Sequence, residues 1–103
     1  MSVTPPGRGP ATGPPLVRRR VIVHGRVQGV FFRDTMRRRA EARDVTGWVT
    51  NRGDGTVEAA LEGRRGDVVA LIGFCRQGPA RAEVERVEIR DEEPEGLTEF
   101  KIE

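Results

Sequence analysis

VTGWVTNRGDGTVEAALE, residues Val45–Glu62, is the stretch on which the fold turns. It holds two β-type runs, Val45–Asn51 and Gly55–Glu62, joined by Arg52-Gly53-Asp54, and Asp54-Gly55 carries the Asp-Gly signal of a tight hairpin. In the second run Val57, Ala59 and Leu61 fall at alternate positions and so share one face. On either flank the apolar period lengthens to that of a helix. Upstream, Phe32, Met36 and Ala40 recur every four residues and mark a helix from Phe32 to about Arg43. Downstream, Val68, Leu71, Ile72 and Cys75 sit at i, i+3, i+4 and i+7, and Gly78-Pro79 stops the segment. Further out lie a strand at Arg20–His24 (RVIVH), with Val21 and Val23 on one face, and another on Val84, Val87 and Ile89. The face parity of that strand changes near Arg86, which predicts a bulge or break. The acidic stretch Asp91–Gly96 reads as a loop, and Phe100 and Ile102 as a short last strand.

The order is βαββαβ with a terminal β. Two helices separated by a hairpin suit an antiparallel sheet covered on one face, which predicts an α+β two-layer sandwich of ferredoxin-like type. A chain of 103 residues has room for one domain with a single small core. We expect that domain to occupy residues 19–103. The preceding MSVTPPGRGPATGPPLVR, residues 1–18, is dominated by Pro, Gly and small polar residues that bury too little apolar surface to offset ordering entropy, and predicts a disordered tail. It has no continuous apolar stretch of the kind a signal peptide carries, and no later segment is long and apolar enough to span a bilayer. The expectation is a cytoplasmic protein without membrane association. No exposed apolar surface demanding a partner is evident, so we expect a monomer.

Residue counts exclude much chemistry. His24 is the only histidine and Cys75 the only cysteine, which removes an internal disulfide, a multi-cysteine metal cage and a His-rich metal site. Ser-His-Asp and Cys-His catalysis survive only if His24 serves. The 18 basic residues against 16 acidic ones are all arginine except Lys101. That balance suits nucleic acid, a phosphate-bearing ligand or simple compositional bias, and charge alone does not choose.

The segment between the first strand and the first helix is more specific. Gly25-Arg26-Val27-Gln28-Gly29-Val30 joins the two, and glycine accepts φ > 0 without Cβ strain, so such a loop can curl its N–H groups toward one point. Residues 25 to 32 include no Ser, Thr, Asp or Asn to cap the free donors of the helix start, and an anion would satisfy them well. Arg33 falls in the first turn, where the macrodipole disfavours a cation. Its placement makes sense if it shares a bound anion with the loop, because a guanidinium fork holds two phosphate oxygens at once.

GRVQGVFFR (Gly25–Arg33), TGWVTN (Thr46–Asn51), DGTVE (Asp54–Glu58) and GPARAEVERVEI (Gly78–Ile89) together resemble the acylphosphatase family, from about Arg19 to the C-terminus. The resemblance implies the same βαββαβ sandwich and a small, cofactor-free hydrolase of carboxyl-phosphate mixed anhydrides. It implies that the loop Gly25, Arg26, Val27, Gln28, Gly29 and Val30 holds the phosphoryl group, that Arg33 clamps it, and that Asn51 positions the attacking water. The partners implied are a small acyl phosphate as substrate and inorganic phosphate as product, with no metal. One departure stands at the end of the first helix, where Arg43-Asp44 replaces the usual apolar residue and glycine. Asp adopts the left-handed C-cap conformation less readily than Gly.

The alternative is a non-catalytic anion- or nucleic-acid-binding module on the same fold. RNA binding across such a sheet asks for exposed aromatics, and the chain has no Tyr, while Phe31, Phe32, Phe74 and Phe100 are claimed mostly by helix or core. Asp34 reads as a dipole-stabilising residue, His24 as a half-exposed structural one, and Cys75 and Trp48 as packing residues. Arg37-Arg38-Arg39 reads as a solvated face able to steer anions.

Overall fold

The hairpin at the middle of the sequence is also central in the sheet. The computed structural model describes residues 16–103 and contains β1 (Leu16–Arg26), α1 (Phe32–Ala42), β2 (Thr46–Asn51), β3 (Val57–Arg64), α2 (Arg65–Gln77), β4 (Glu83–Glu92) and β5 (Phe100–Ile102). β2 and β3 pair antiparallel from Thr46↔Glu62 to Asn51↔Val57. β1 takes the other side of β3, and the sheet order is β4-β1-β3-β2-β5, antiparallel throughout except for β2 with β5. This is the ferredoxin-like sandwich expected, with its short extra strand at one edge.

One register explains the core. Val21 and Val23 of β1, Val49 of β2, and Val57, Ala59 and Leu61 of β3 point to the helix side and are fully buried. Phe32, Met36 and Ala40 of α1 and Val68, Leu71 and Cys75 of α2 close over them. Burial pushes the Cys75 thiol up to about 12, with Arg76 opposing weakly, so this cysteine packs as an unreactive hydrophobe. On β4 the pairing jumps from His24↔Arg86 to Gly25↔Val84, which leaves Glu85 as the extra residue. That bulge is the parity change anticipated near Arg86, and it lets both Val84 and Val87 face the core.

The strands run past their expected limits. β1 begins at Leu16, where residues 16–18 were assigned to the tail, and Leu16, Val17 and Arg18 pair with Arg64, Gly63 and Glu62. The expected tail otherwise, residues 1–15, lies outside the described residues. β4 likewise continues to Glu92, taking Asp91 and Glu92 from the acidic loop.

The reason is on the far face of the sheet, where charges pair instead of apolar side chains. Arg18 and Glu62 are each only 2% exposed and meet at 2.7 Å, and Arg18 also donates to Glu92 at 2.9 Å. Glu62 accepts the backbone N–H groups of Glu95, Gly96 and Leu97, which straps the β4–β5 loop over the pair. Burial alone would raise the Glu62 carboxyl, but those N–H groups and the guanidinium outweigh it and hold it below the usual carboxylate range. Beside them Arg20 bridges Glu58 and Glu92 and lies over the Trp48 ring, 5.1 Å from its centroid.

The end of α1 answers the question raised by Arg43-Asp44. Asp44 adopts φ 55, Val45 N–H donates to Ala40 and Asp44 N–H to Glu41, which completes a Schellman motif on an aspartate.

Candidate active site

Three anchors shape the β1–α1 loop. Val27 and Val30 are buried in the core, which fixes both ends of a short arc. Gln28, between them, donates its carboxamide hydrogens to the carbonyls of Arg52 (2.7 Å) and Thr56 (2.9 Å). The loop is thereby bound to the β2–β3 turn, which is itself closed by Arg52 N–H to Thr56 and by the Asp54 carboxylate accepting from the Thr56 N–H and hydroxyl. Those two Thr56 donors hold the Asp54 carboxyl below its ordinary range. Gly29 (φ 72) carries the remaining bend and is exposed.

Helix α1 starts without a side-chain cap, as its sequence foretold; Phe31 occupies the N-cap at φ 62, and Thr35 N–H donates to its carbonyl. Among the described residues, the N–H groups of Gln28 to Asp34 donate to no protein acceptor. They are donors available to an anion, with the helix dipole behind them.

A cleft of about 270 Å3 opens at this loop, and Val27, Gly29, Arg33 and Asn51 all line it. Asn51 reaches it from the end of β2, held there by the Gln28 tie to the adjoining Arg52. Among the described residues its carboxamide has no hydrogen-bond partner, and the Arg33 guanidinium has no carboxylate within 4.0 Å. Every other arginine that is at least partly buried, namely Arg18, Arg19, Arg20, Arg37 and Arg52, has one. Asp34, the residue beside Arg33, is engaged by Arg37 and Arg38 on the next turn.

Not every anticipated residue comes to the cleft. Gly25 and Arg26 belong to the end of β1 instead of the loop. Gly25 is required by the bulge, because a Cβ there would stand 2.1 Å from the Glu83 carbonyl, and Arg26 is exposed beside Glu83. Gln28 and Val30 shape the loop from behind. His24 is on the far face of the sheet, at 2.5 Å from Glu88, whose carboxyl this contact lowers. Phe31 was assigned to helix or core and is instead 75% exposed at the cleft, joined there by Ile102 of β5. A doublet FF at a helix start does carry a signal: two adjacent residues cannot both face the same core.

A βα loop rich in free amide donors, with an uncompensated arginine and a free carboxamide facing one cleft, gives this small α+β protein a place that can take an anion without histidine or thiol chemistry. The sequence model described as Acylphosphatase matches residues 19–102. An acylphosphatase of Thermococcus kodakarensis is 55% identical over 86 residues, covering 84% of this chain and 94% of that protein. The structure of an acylphosphatase from Coxiella burnetii superposes with TM-score 0.82 at 35% identity over 85% of this chain and 93% of that one. An acylphosphatase from Bacillus subtilis gives 0.81 at 34% identity, over 84% and 97%. The chain belongs to the acylphosphatase family, and it is an enzyme that hydrolyses acyl phosphates. The sheet face an RNA module would use carries ion pairs, and its one tryptophan is covered by Arg20.

Proposed function

We propose that this cleft is where hydrolysis occurs, by direct in-line attack of water on phosphorus. The free backbone N–H groups that follow β1, from Gln28 into the first turn of α1, are presented to the phosphoryl oxygens, Arg33 clamps two of these oxygens, and Asn51 orients the water. The carrying observation is that Arg33, alone among the partly buried arginines described, lacks a carboxylate while lining the same cleft as an unpartnered Asn51. In the reaction the water oxygen forms a bond to phosphorus and the bond from phosphorus to the acyl oxygen breaks. The electron pair leaves on the carboxylate, and both water protons remain on the departing phosphate.

A carboxylate is a good leaving group and the transition state is loose, so neither a strong acid nor a strong base is needed. Asn51 has an acceptor and two donors but no basic site, which suits positioning and nothing more. Loop amides and guanidinium supply the positive field that a metal ion would otherwise supply, and we propose a metal-independent reaction without a phosphoenzyme. The same reading makes the protein a cytoplasmic monomer acting on a small soluble substrate.

The test is benzoyl phosphate hydrolysis in the presence of a chelator. Arg33→Ala is expected to lower kcat/KM by about a thousandfold or more, the scale of losing a transition-state charge partner, and Arg33→Lys to fail as well. Asn51→Ala lowers kcat with little change in inhibition by inorganic phosphate. Wild-type rates in either Arg33 variant, or activity abolished by the chelator, would remove this mechanism.

A further inference from the structure

Two consecutive phenylalanines begin α1 and meet opposite fates. Phe32 is buried against Phe74, ring centroids 5.4 Å apart, whereas Phe31 is the most exposed of the large apolar side chains described, at 75%. Phe31 also holds φ 62, a region bulky residues seldom occupy, at a position where it makes no side-chain cap. Neither core packing nor capping accounts for a phenyl group there. What the phenyl does do is line the cleft that Arg33 and Asn51 line.

A second apolar side chain faces it from another element. Ile102, 36% exposed, lines the same cleft, and β5 brings it there by pairing Ile102 with Val49, two residues before Asn51 on β2. Residues two apart on a strand share a face, so Ile102 and Asn51 stand on the helix side of the sheet together. The cleft, about 270 Å3, thus extends past Arg33 and Asn51 to both apolar side chains.

We propose that Phe31 and Ile102 form the acyl half of the substrate site, so that this enzyme selects acyl phosphates with an apolar, and above all an aryl, acyl group. The inference rests on the phosphoryl group being held at Arg33 and Asn51. An aryl ring gains contact energy against a phenyl face beyond the area it buries, and an acetyl group has almost nothing to offer that face.

The experiment compares kcat/KM for benzoyl phosphate with that for acetyl phosphate. In Phe31→Ala the benzoyl-to-acetyl ratio is expected to fall about five- to tenfold, the size of one aromatic contact, chiefly through KM. Ile102→Ala moves the ratio in the same direction, and Phe31→Trp keeps it. An unchanged ratio, or an equal loss on both substrates, overturns the subsite; the second result would mean that Phe31 only shapes the loop. Arg33→Ala assayed alongside separates this failure from that of the site itself. Full hydrolysis by Arg33→Ala removes the site and the subsite with it, whereas an inactive Arg33→Ala beside an unchanged ratio in Phe31→Ala removes the subsite alone.

Discussion

Gln28 touches no cleft surface, yet its replacement by glutamate is the sharpest test of how this site is built. Its Nε2 donates to two backbone carbonyls, at 2.7 Å to Arg52 and 2.9 Å to Thr56. Each such bond contributes about 0.5–1.5 kcal/mol net, so Gln28→Ala should cost about 1–3 kcal/mol. Gln28→Glu keeps the size and shape but only accepts hydrogen bonds, and it would aim a half-buried carboxylate at two carbonyl oxygens. Its cost should therefore exceed that of alanine, by about 1 kcal/mol or more from the unsatisfied charge. With an m-value near 1 kcal/mol/M for so small a domain, urea titration should place the midpoints in the order wild type, Gln28→Ala, Gln28→Glu, with about 1–3 M between the first two. Catalysis follows the same order, because the tie sets the loop against Arg52 and hence against Asn51. We expect kcat/KM to fall about tenfold or more in Gln28→Glu, together with weaker inhibition by phosphate. Lowering the pH toward 4 protonates the new carboxyl, restores one donor and narrows the stability gap to alanine. A Gln28→Glu enzyme as stable and as active as wild type would refute the idea that this tether organises the loop.

Two further outcomes follow from the far side of the sheet and from the helix end. Glu62→Gln removes the buried carboxylate of the pair and leaves Arg18 only Glu92 and the exposed Glu95, and it should cost about 1.5–3 kcal/mol in urea unfolding; a loss under about 1 kcal/mol would show the pair to be dispensable. The Glu62 carboxyl is held below its ordinary 4.5 in the folded state, so its contribution is complete above that pH and is lost as pH falls through the lower folded value. The stability gap between wild type and Glu62→Gln should accordingly be full at pH 7 and shrink below about 4.5, and a gap independent of pH would contradict the assignment. Asp44→Gly relieves a non-glycine residue at φ 55 and should stabilise the protein by about 1 kcal/mol without altering turnover; thermal melting checks it, and a lower Tm would refute it.

Most of the fold was legible because its elements obey local rules: alternation for Val57, Ala59 and Leu61, four-residue spacing for Phe32, Met36 and Ala40, and a parity break that became the Glu85 bulge. What stayed hidden depends on long-range partners. Arg18 reads as part of a polar tail until Glu62, 44 positions away, is placed opposite it; only then does its burial make sense. Gly25 reads as a loop glycine, and its reason, a β4 carbonyl 2.1 Å from where a Cβ would stand, lies on a strand that the sequence places far downstream. Arg33 and Asn51, singled out by the helix-field argument and the family resemblance, line one cleft, and their roles there are what we propose. Phe31 was missed because hydrophobicity argues for the core, although the four-residue spacing that puts Phe32 with Met36 and Ala40 leaves its neighbour off that face.

A chain with one histidine and an inert thiol can run this reaction because the reaction asks for placement. Apart from the Asp34 carboxylate, the polar groups that line the cleft are amides, a guanidinium and a carboxamide, none of which must change protonation state at neutral pH. Such a site loses activity when its parts move, since fixed dipoles stabilise charge only where they are held. Its holders are accordingly outside it: Val27 and Val30 in the core, Gln28 on the hairpin, and Glu62 strapping the segment that leads into β5. That arrangement couples activity to stability more tightly than in a site built on one reactive side chain, because loosening any holder displaces several weak contributors at once.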